Sequence, residues 1–86
     1  MQYDDAIKNR LRRIEGQIHG VANMIEQNKN CKDVVTQLSA VRSAVDRAIG
    51  LIVANNLAEC IRMDMEKGII PDKAIQEAVD LLVKSR

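Results

Sequence analysis

The chain has 86 residues, a formal net charge of +1, one tyrosine and neither phenylalanine nor tryptophan. A chain this short supports only a small core, which here must be built from aliphatic side chains. A charge this close to zero excludes a uniformly basic nucleic-acid-binding protein, so any DNA-binding surface must be local.

Helix 1 is predicted from about residue 4 to residue 27. Its apolar residues recur at alternating spacings of four and three, the pattern of one face of an amphipathic helix. They are Ile7, Leu11, Ile14, Ile18, Val21 and Ile25. Asn28, Lys29 and Asn30 then interrupt the pattern with residues that favour turns.

Helix 2 is predicted from about residue 31 to residue 67. The apolar spacing resumes there in Val34, Leu38, Val41, Val45, Ile49 and Ile52. Gly68 should end this helix, and Pro71 should begin helix 3, which is predicted from about residue 72 to residue 84. Ile75, Val79 and Leu82 form the expected inner row of helix 3. With no linker or repeat in the sequence, residues 1–86 are predicted to form a single all-α domain of three helices.

The length of helix 2 favours an oligomer. A helix of about 35 residues spans about 52 Å, which exceeds the diameter of a compact domain of this size. Its apolar stripe therefore needs another chain to cover it. We predict an all-helical oligomer in place of a monomer.

The two cysteines, Cys31 and Cys60, are predicted near opposite ends of helix 2. At about 1.5 Å per residue their Cα atoms are roughly 43 Å apart, whereas a disulfide tolerates about 7 Å. A pair can therefore form only across an antiparallel partner helix. Cys31 should be the more nucleophilic thiol, because the helix dipole and two nearby lysines favour a thiolate, although Asp33 opposes them. Alternatively, both thiols simply fill a helical core.

The cellular compartment affects whether the two thiols are expected to be reduced or joined in a disulfide. No apolar run approaches the roughly 18 residues of a membrane span, and the first ten residues lack the layout of a signal peptide. We therefore expect a cytoplasmic protein without a membrane partner. Cytoplasmic cysteines are usually reduced, so the pair is expected to be reactive or metal-binding.

Metal binding and catalysis are both disfavoured. Cu(I) suits thiolates, and a histidine four residues before Cys60 would add a third ligand, but that position is Asn56. His19, the single histidine, points away from the apolar stripe of helix 1 and is expected to be solvated. The sequence has no Ser/His/Asp arrangement and no glycine-rich phosphate loop, so we predict no enzyme, metal or cofactor.

A group of basic residues is the second candidate site. Helix 1 carries Lys8, Arg10, Arg12 and Arg13, and Arg42 and Arg47 lie midway along helix 2. Arg10 and Arg13 share a predicted face with Gln17. These cations either bind DNA phosphates or form a solvated surface, and the residues alone leave both interpretations open.

Three segments resemble the CsoR family of copper-sensing operon repressors. They are NRLRRIEGQIHGV from Asn9, CKDVVTQLSAVRSAVDRA from Cys31 and NNLAEC from Asn55. The resemblance implies a small all-helical repressor that lacks a helix-turn-helix. It also implies an antiparallel helical-bundle dimer, two of which form a flat D2 tetramer, with effector sites that take one cysteine from each of two subunits.

Within this family the chain is most similar to the persulfide-sensing CstR branch, because Asn56 replaces the histidine of the copper sensors. That resemblance implies repression of sulfide-detoxification genes through double-stranded operator DNA. Persulfides or polysulfides would link Cys31 to Cys60 of the neighbouring chain and release the DNA. A Cu(I)-responsive repressor that uses the two thiolates alone, and a helical interaction module that binds no DNA, are the alternatives.

The resemblance also implies which residues contact DNA. Arg10 and Arg47 stand at the matching positions of helix 1 and helix 2. Lys8, Arg12 and Arg13 are expected to contact phosphates as well.

Overall fold

The computed structural model describes residues 2–85 and contains three α-helices. They are α1 (Asp5–Glu26), α2 (Cys31–Glu66) and α3 (Asp72–Lys84), and no strand occurs among the described residues. The predicted all-α fold with one long central helix is confirmed. The dimer and the tetramer stay predictions.

The described residues divide into two compact units, and the boundary falls within α2. Residues Gln2–Ala48 contain α1 and the first half of α2, and the second unit begins at Ile49 and contains the rest of α2 with α3. That the chain is a single domain stays a prediction. Within residues 2–85, no helix is both long and apolar enough to span a bilayer.

Local hydrogen bonds explain where α1 begins and ends. The Asp4 Oδ1 atom accepts a hydrogen bond from the backbone N–H of Ile7 at 2.9 Å, which satisfies a free donor of the first turn. At the other end, Asn28 adopts a left-handed backbone with φ of 55°. The Lys29 N–H donates to the Met24 carbonyl at 3.0 Å, and the Asn28 N–H donates to Ile25. This is a Schellman motif, in which asparagine takes the position that glycine usually holds.

The end of α2 repeats this motif with glycine. Gly68 has a φ of 72°, and the Ile69 N–H donates to the Asp64 carbonyl at 2.8 Å. The prediction that Gly68 ends helix 2 is confirmed. Pro71 occupies the N-cap position of α3, where its missing N–H removes no helical hydrogen bond.

The core of the first unit consists of every seventh residue on each helix. The buried residues are Ile7, Ile14 and Val21 on α1 and Val34, Val41 and Ala48 on α2. Ile14, Val41 and Ala48 form a continuous cluster against which Ala44 packs. A seven-residue repeat is the period at which packed helices keep the same residues facing each other.

The other half of the predicted stripe stays exposed within the chain. Leu11, Ile18 and Ile25 on α1 are 43%, 50% and 58% exposed, and Leu38 and Val45 on α2 are exposed as well. We call these five residues the outer apolar row. Its members lie one helical turn from the buried ones, so the unit presents an uncovered apolar surface beside its own core.

In the second unit the packing of α3 differs from the prediction. Among the described residues from Ile49 onward, Ala78 is the only buried hydrophobic residue. The expected inner row of Ile75, Val79 and Leu82 is exposed, because no other element within residues 2–85 covers that side of the helix.

Candidate functional site

Cys31 is the first residue of α2, and its thiol is exposed. The residue before it, Asn30, caps the helix: its Oδ1 atom accepts a hydrogen bond from the Asp33 N–H at 2.9 Å. Asn30 Nδ2 also donates to Asp33 Oδ2 at 3.1 Å. This reciprocal pair orders the turn that carries Cys31, and it leaves the thiol open to small molecules in solvent.

Cys60 lies near the other end of α2 and is half-buried. The guanidinium of Arg62 donates hydrogen bonds to Glu59 at 2.7 Å and to Glu66 at 3.1 Å. The hydrogen bond with Glu59 and the charges of both carboxylates raise the pKa of Arg62. Glu59, the sequence neighbour of Cys60, is thus held in an ion pair with Arg62.

Both cysteines are free thiols, and they belong to different compact units. Asn56, one helical turn before Cys60, is exposed, as is His19 on α1. Within residues 2–85, no group of three or more His, Cys, Asp or Glu side chains is arranged to hold a metal ion.

The first unit brings part of the predicted DNA-binding set together around one cavity. This basic cavity has a volume of about 180 Å³ and is lined by Arg10, Arg13, Ile14, Gln17, Ala44 and Arg47. Arg10, Arg13 and Gln17 reach it because residues three and four apart share a face of α1. Arg47 approaches from α2. The three guanidinium groups give the cavity a positive charge, and no carboxylate lines it.

Two predicted DNA contacts, Lys8 and Arg12, and a third basic residue, Arg42, lie elsewhere. Lys8 and Arg12 do not line the basic cavity. Arg12 Nη1 instead donates to the Asn9 Oδ1 atom at 3.2 Å on its own helix. Arg42 lines a different cavity of about 280 Å³, together with Val35, Leu38 and Ser39. The structure thus separates the six basic residues into three that converge and three that do not.

Sequence reasoning misses two features of these sites. Gln17 shares the predicted face of Arg10 and Arg13 but is not among the predicted site residues, although the spacing of the three points to it. The sequence pattern places Asn30 only in a turn. Its position three residues before Asp33 is the spacing of a helix-capping pair, and that signal could have identified it.

Comparison with known proteins gives a consistent result. Residues 3–84 match the family described as "Metal-sensitive transcriptional repressor". The uncharacterized protein YrkD of Bacillus subtilis is 59% identical over 63 residues, which cover 73% of this chain and 100% of YrkD. The copper-sensing transcriptional repressor CsoR of Bacillus subtilis is 35% identical over 80 residues, or 93% of this chain and 78% of CsoR.

A solved structure shares the fold. The nickel-responsive transcriptional regulator InrS superposes with a TM-score of 0.80 at 35% identity, covering 96% of this chain and 92% of that chain. The two relatives that are named for copper and nickel raise the question whether this chain has the ligands for either metal.

Asn56 and the single histidine bear on both metals. Cu(I) prefers thiolate, thioether and imidazole donors, and the amide oxygen of Asn56 is a hard donor. Nickel sites of square-planar geometry use several nitrogen donors, whereas the chain has only one histidine, His19. Two thiolates, Cys31 and Cys60, are the soft donors of the predicted sensing site.

Proposed function

The chain belongs to the CsoR family of metal-sensitive transcriptional repressors, and we propose that it senses persulfides or polysulfides with Cys31 and Cys60. In the reduced protein the basic cavities hold operator DNA. A sulfur bridge between Cys31 of one chain and Cys60 of its neighbour then lowers the affinity for DNA. The genes released from repression would be those for sulfide detoxification.

The observation that carries the proposal is the combination of two free thiols with an asparagine between them. Cys31 is exposed and Cys60 is half-buried, so sulfur donors can reach at least the first. Asn56 stands where a soft third ligand would be needed for copper, and it is exposed. Such a site retains the redox chemistry of the thiols while it loses a metal ligand.

The chemistry needs only a persulfide as the oxidant. The Cys31 thiolate attacks the outer sulfur of a persulfide RSSH, takes that sulfur as its own persulfide and releases the thiol RSH. The Cys60 thiolate of the neighbouring chain then attacks Sγ of Cys31 and expels the outer sulfur as H₂S, which leaves a disulfide. In total, two protein thiols are oxidised, and one persulfide is reduced to RSH and H₂S. When both cysteines have first gained a sulfur, their condensation with loss of H₂S leaves a trisulfide.

The bridge is proposed between chains because α2 carries both cysteines on one continuous helix. The exposed outer apolar row supports the proposal that a second chain packs against this unit. Leu11, Ile18 and Ile25 remain exposed beside the core of the first unit, and a second copy with the same row could cover them. We propose an antiparallel dimer of this kind, with two dimers in a tetramer.

The proposed DNA contacts are the residues of the basic cavity, with Arg10 and Arg47 foremost. They approach from two helices and form a local positive surface on a chain that is nearly neutral overall. Such a surface gains affinity for DNA by releasing counterions from the phosphates. The sulfur bridge can act as a switch only if the bridged protein binds DNA more weakly than the reduced one.

A second candidate is a Cu(I)-responsive repressor that uses the two thiolates alone. It is favoured by the similarity to the copper-sensing repressor CsoR. It differs from the main proposal in the effector that releases DNA. Copper, and not a persulfide, would then lower the affinity for DNA, and the cysteines would be recovered as reduced thiols after chelation.

Mass spectrometry under denaturing, non-reducing conditions tests the proposal. The reduced protein is treated with polysulfide, with hydrogen peroxide or with Cu(I) before analysis. We expect dimer-mass species with additional sulfur atoms after polysulfide, and their loss on treatment with dithiothreitol. Peptide mapping should place Cys31 of one chain opposite Cys60 of the other.

Matched variants locate the chemistry. Cys31→Ser and Cys60→Ser should each abolish the Cys31–Cys60 bridge. A mixture of the two variants should restore one bridge in each mixed dimer, because each chain contributes the thiol that the other lacks. Recovery of reduced monomer alone from wild-type protein after polysulfide would refute the proposal. DNA release by Cu(I) but not by polysulfide would favour the second candidate.

A further inference from the structure

The three arginines of the basic cavity form no salt bridge with any residue of the described range 2–85. Among the salt bridges and side-chain hydrogen bonds within residues 2–85, none involves the guanidinium of Arg10, Arg13 or Arg47. The other arginines on the same helices include two that are engaged, Arg12 with Asn9 and Arg62 with two glutamates.

Grouping three unpaired cations costs energy, because like charges repel and no carboxylate lines the cavity to compensate. Ile14 and Ala44 form its apolar floor, and Ile14 belongs to the buried core. Packing of Ile14 against α2 therefore fixes the backbone positions from which the arginines extend. An anion that enters the cavity meets arginines from both helices.

From this geometry we infer that the basic cavity is a binding site for a single tetrahedral oxyanion. A guanidinium presents paired N–H donors that match the oxygens of phosphate or sulfate, and three of them from two helices can contact one anion from several directions. The same chemistry occurs in a DNA backbone phosphate and in free inorganic phosphate or sulfate. The inference deepens the proposed function and rests on it for DNA as the ligand, but the cavity itself does not depend on sulfur sensing.

Gln17 is an uncharged residue of the basic cavity, so a charged substitution there tests whether the cavity binds an anion. It lines the cavity beside Arg10 and Arg13, and it is exposed, so a substitution there does not disturb the core. Its side-chain amide can donate to an oxyanion without adding charge. A glutamate at this position would instead bring a negative charge to the anion and pair with the arginines.

The experiment uses the reduced full-length chain and inorganic phosphate. Phosphate replaces chloride at constant ionic strength, while NMR follows the Nε–Hε signals of the arginines. We expect saturable shifts for Arg10, Arg13 and Arg47, and none for Arg42, which lines the other cavity. Gln17→Glu should weaken phosphate binding by at least about tenfold, as expected for a unit charge brought within a few ångströms.

Gln37→Glu is the matched control, because it makes the same change at an exposed position of α2 that does not line the basic cavity. It should leave phosphate binding unchanged. An equal loss in both variants would show a general charge effect and overturn the inference. So would shifts that rise linearly with phosphate and never saturate.

A parallel titration with duplex DNA from upstream of the chain's own gene, read by fluorescence anisotropy, separates this inference from the proposed function. Saturable phosphate binding without DNA binding would support the oxyanion site and contradict the repressor mechanism at this cavity. DNA binding with no saturable phosphate response would leave the repressor mechanism standing and reject the oxyanion site. When both ligands bind the same cavity, phosphate should weaken DNA binding at constant ionic strength.

Discussion

Asn30 and Asp33 form two hydrogen bonds with each other at the start of α2. The Asp33 N–H donates to Asn30 Oδ1, and Asn30 Nδ2 donates to the Asp33 carboxylate. Cys31 lies between them in sequence and is the first residue of the helix. The local order around this thiol therefore depends on a polar pair that contributes nothing to the core.

Loss of this cap should destabilise the protein. Asn30→Ala removes both hydrogen bonds and should lower the free energy of unfolding by about 1 kcal/mol. Asn30→Ser, which retains an acceptor for the Asp33 N–H, should lose less. Chemical denaturation followed by circular dichroism measures both. Asn55→Ala, an exposed site inside α2, serves as the control and should not destabilise.

Ile14 packs with Val41 and Ala48 in the core of the first unit. Ile14→Ala should lower the free energy of unfolding by about 2–5 kcal/mol, because it removes buried methylene groups and leaves a cavity. Denaturant titration gives the value. A loss as small as that of an exposed residue would contradict the packing described for α1 and α2.

Ile18→Ala makes the same truncation in the outer apolar row, where the side chain is 50% exposed within the chain. Under the proposed dimer, its effect should appear in association: analytical ultracentrifugation should show a higher dissociation constant. An unchanged dissociation constant would show that this row lies outside the interface.

The sequence predicted the three helices well because each has a clear apolar period and clear end signals. Gly68 and Pro71 marked a helix end and a helix start through properties of their own backbones. It could not predict which half of the stripe is buried within one chain. Ile14 and Ile18 look alike in the periodic pattern, but whether each meets α2 of its own chain depends on how the two helices pack.

The same limit applies to the basic cavity. The spacing of Arg10 and Arg13 placed them on one face of α1, and that much follows from helix geometry. That Arg47 joins them depends on the register of α1 against α2, whereas Arg42, five residues earlier on α2, points to another side by helix geometry alone. This register is set by core residues that are distant in sequence, which a single-helix pattern does not contain.

Asn56→His should give the chain a copper response. The histidine would supply a nitrogen donor one turn before Cys60 and complete the Cys, His, Cys set implied by the family resemblance. We expect a higher Cu(I) affinity in competition with a chelator, and DNA release by copper. Asn55→His, at the neighbouring exposed residue, should bring neither change.

Arg10→Ala should weaken DNA binding about equally across sequences, because it removes a cation that neutralises a phosphate. The dependence of the logarithm of affinity on the logarithm of salt concentration should become shallower by about one unit for each phosphate that is no longer neutralised. Arg12→Ala is the comparison, since Arg12 lies outside the basic cavity and bonds to Asn9. If Arg12→Ala changes the slope and Arg10→Ala does not, the assignment of the two arginines is wrong.

The outer apolar row has a consequence for how the repressor depends on its own abundance. In the proposed dimer, a second copy covers Leu11, Ile18 and Ile25, which are exposed to water in the single chain. The stability of the fold therefore depends on the concentration of chains available to associate. At low abundance, halving the concentration of chains would lower the concentration of pairs by up to about fourfold, by mass action. A fall in the cellular concentration of the protein would thus loosen repression more steeply than the loss of protein alone.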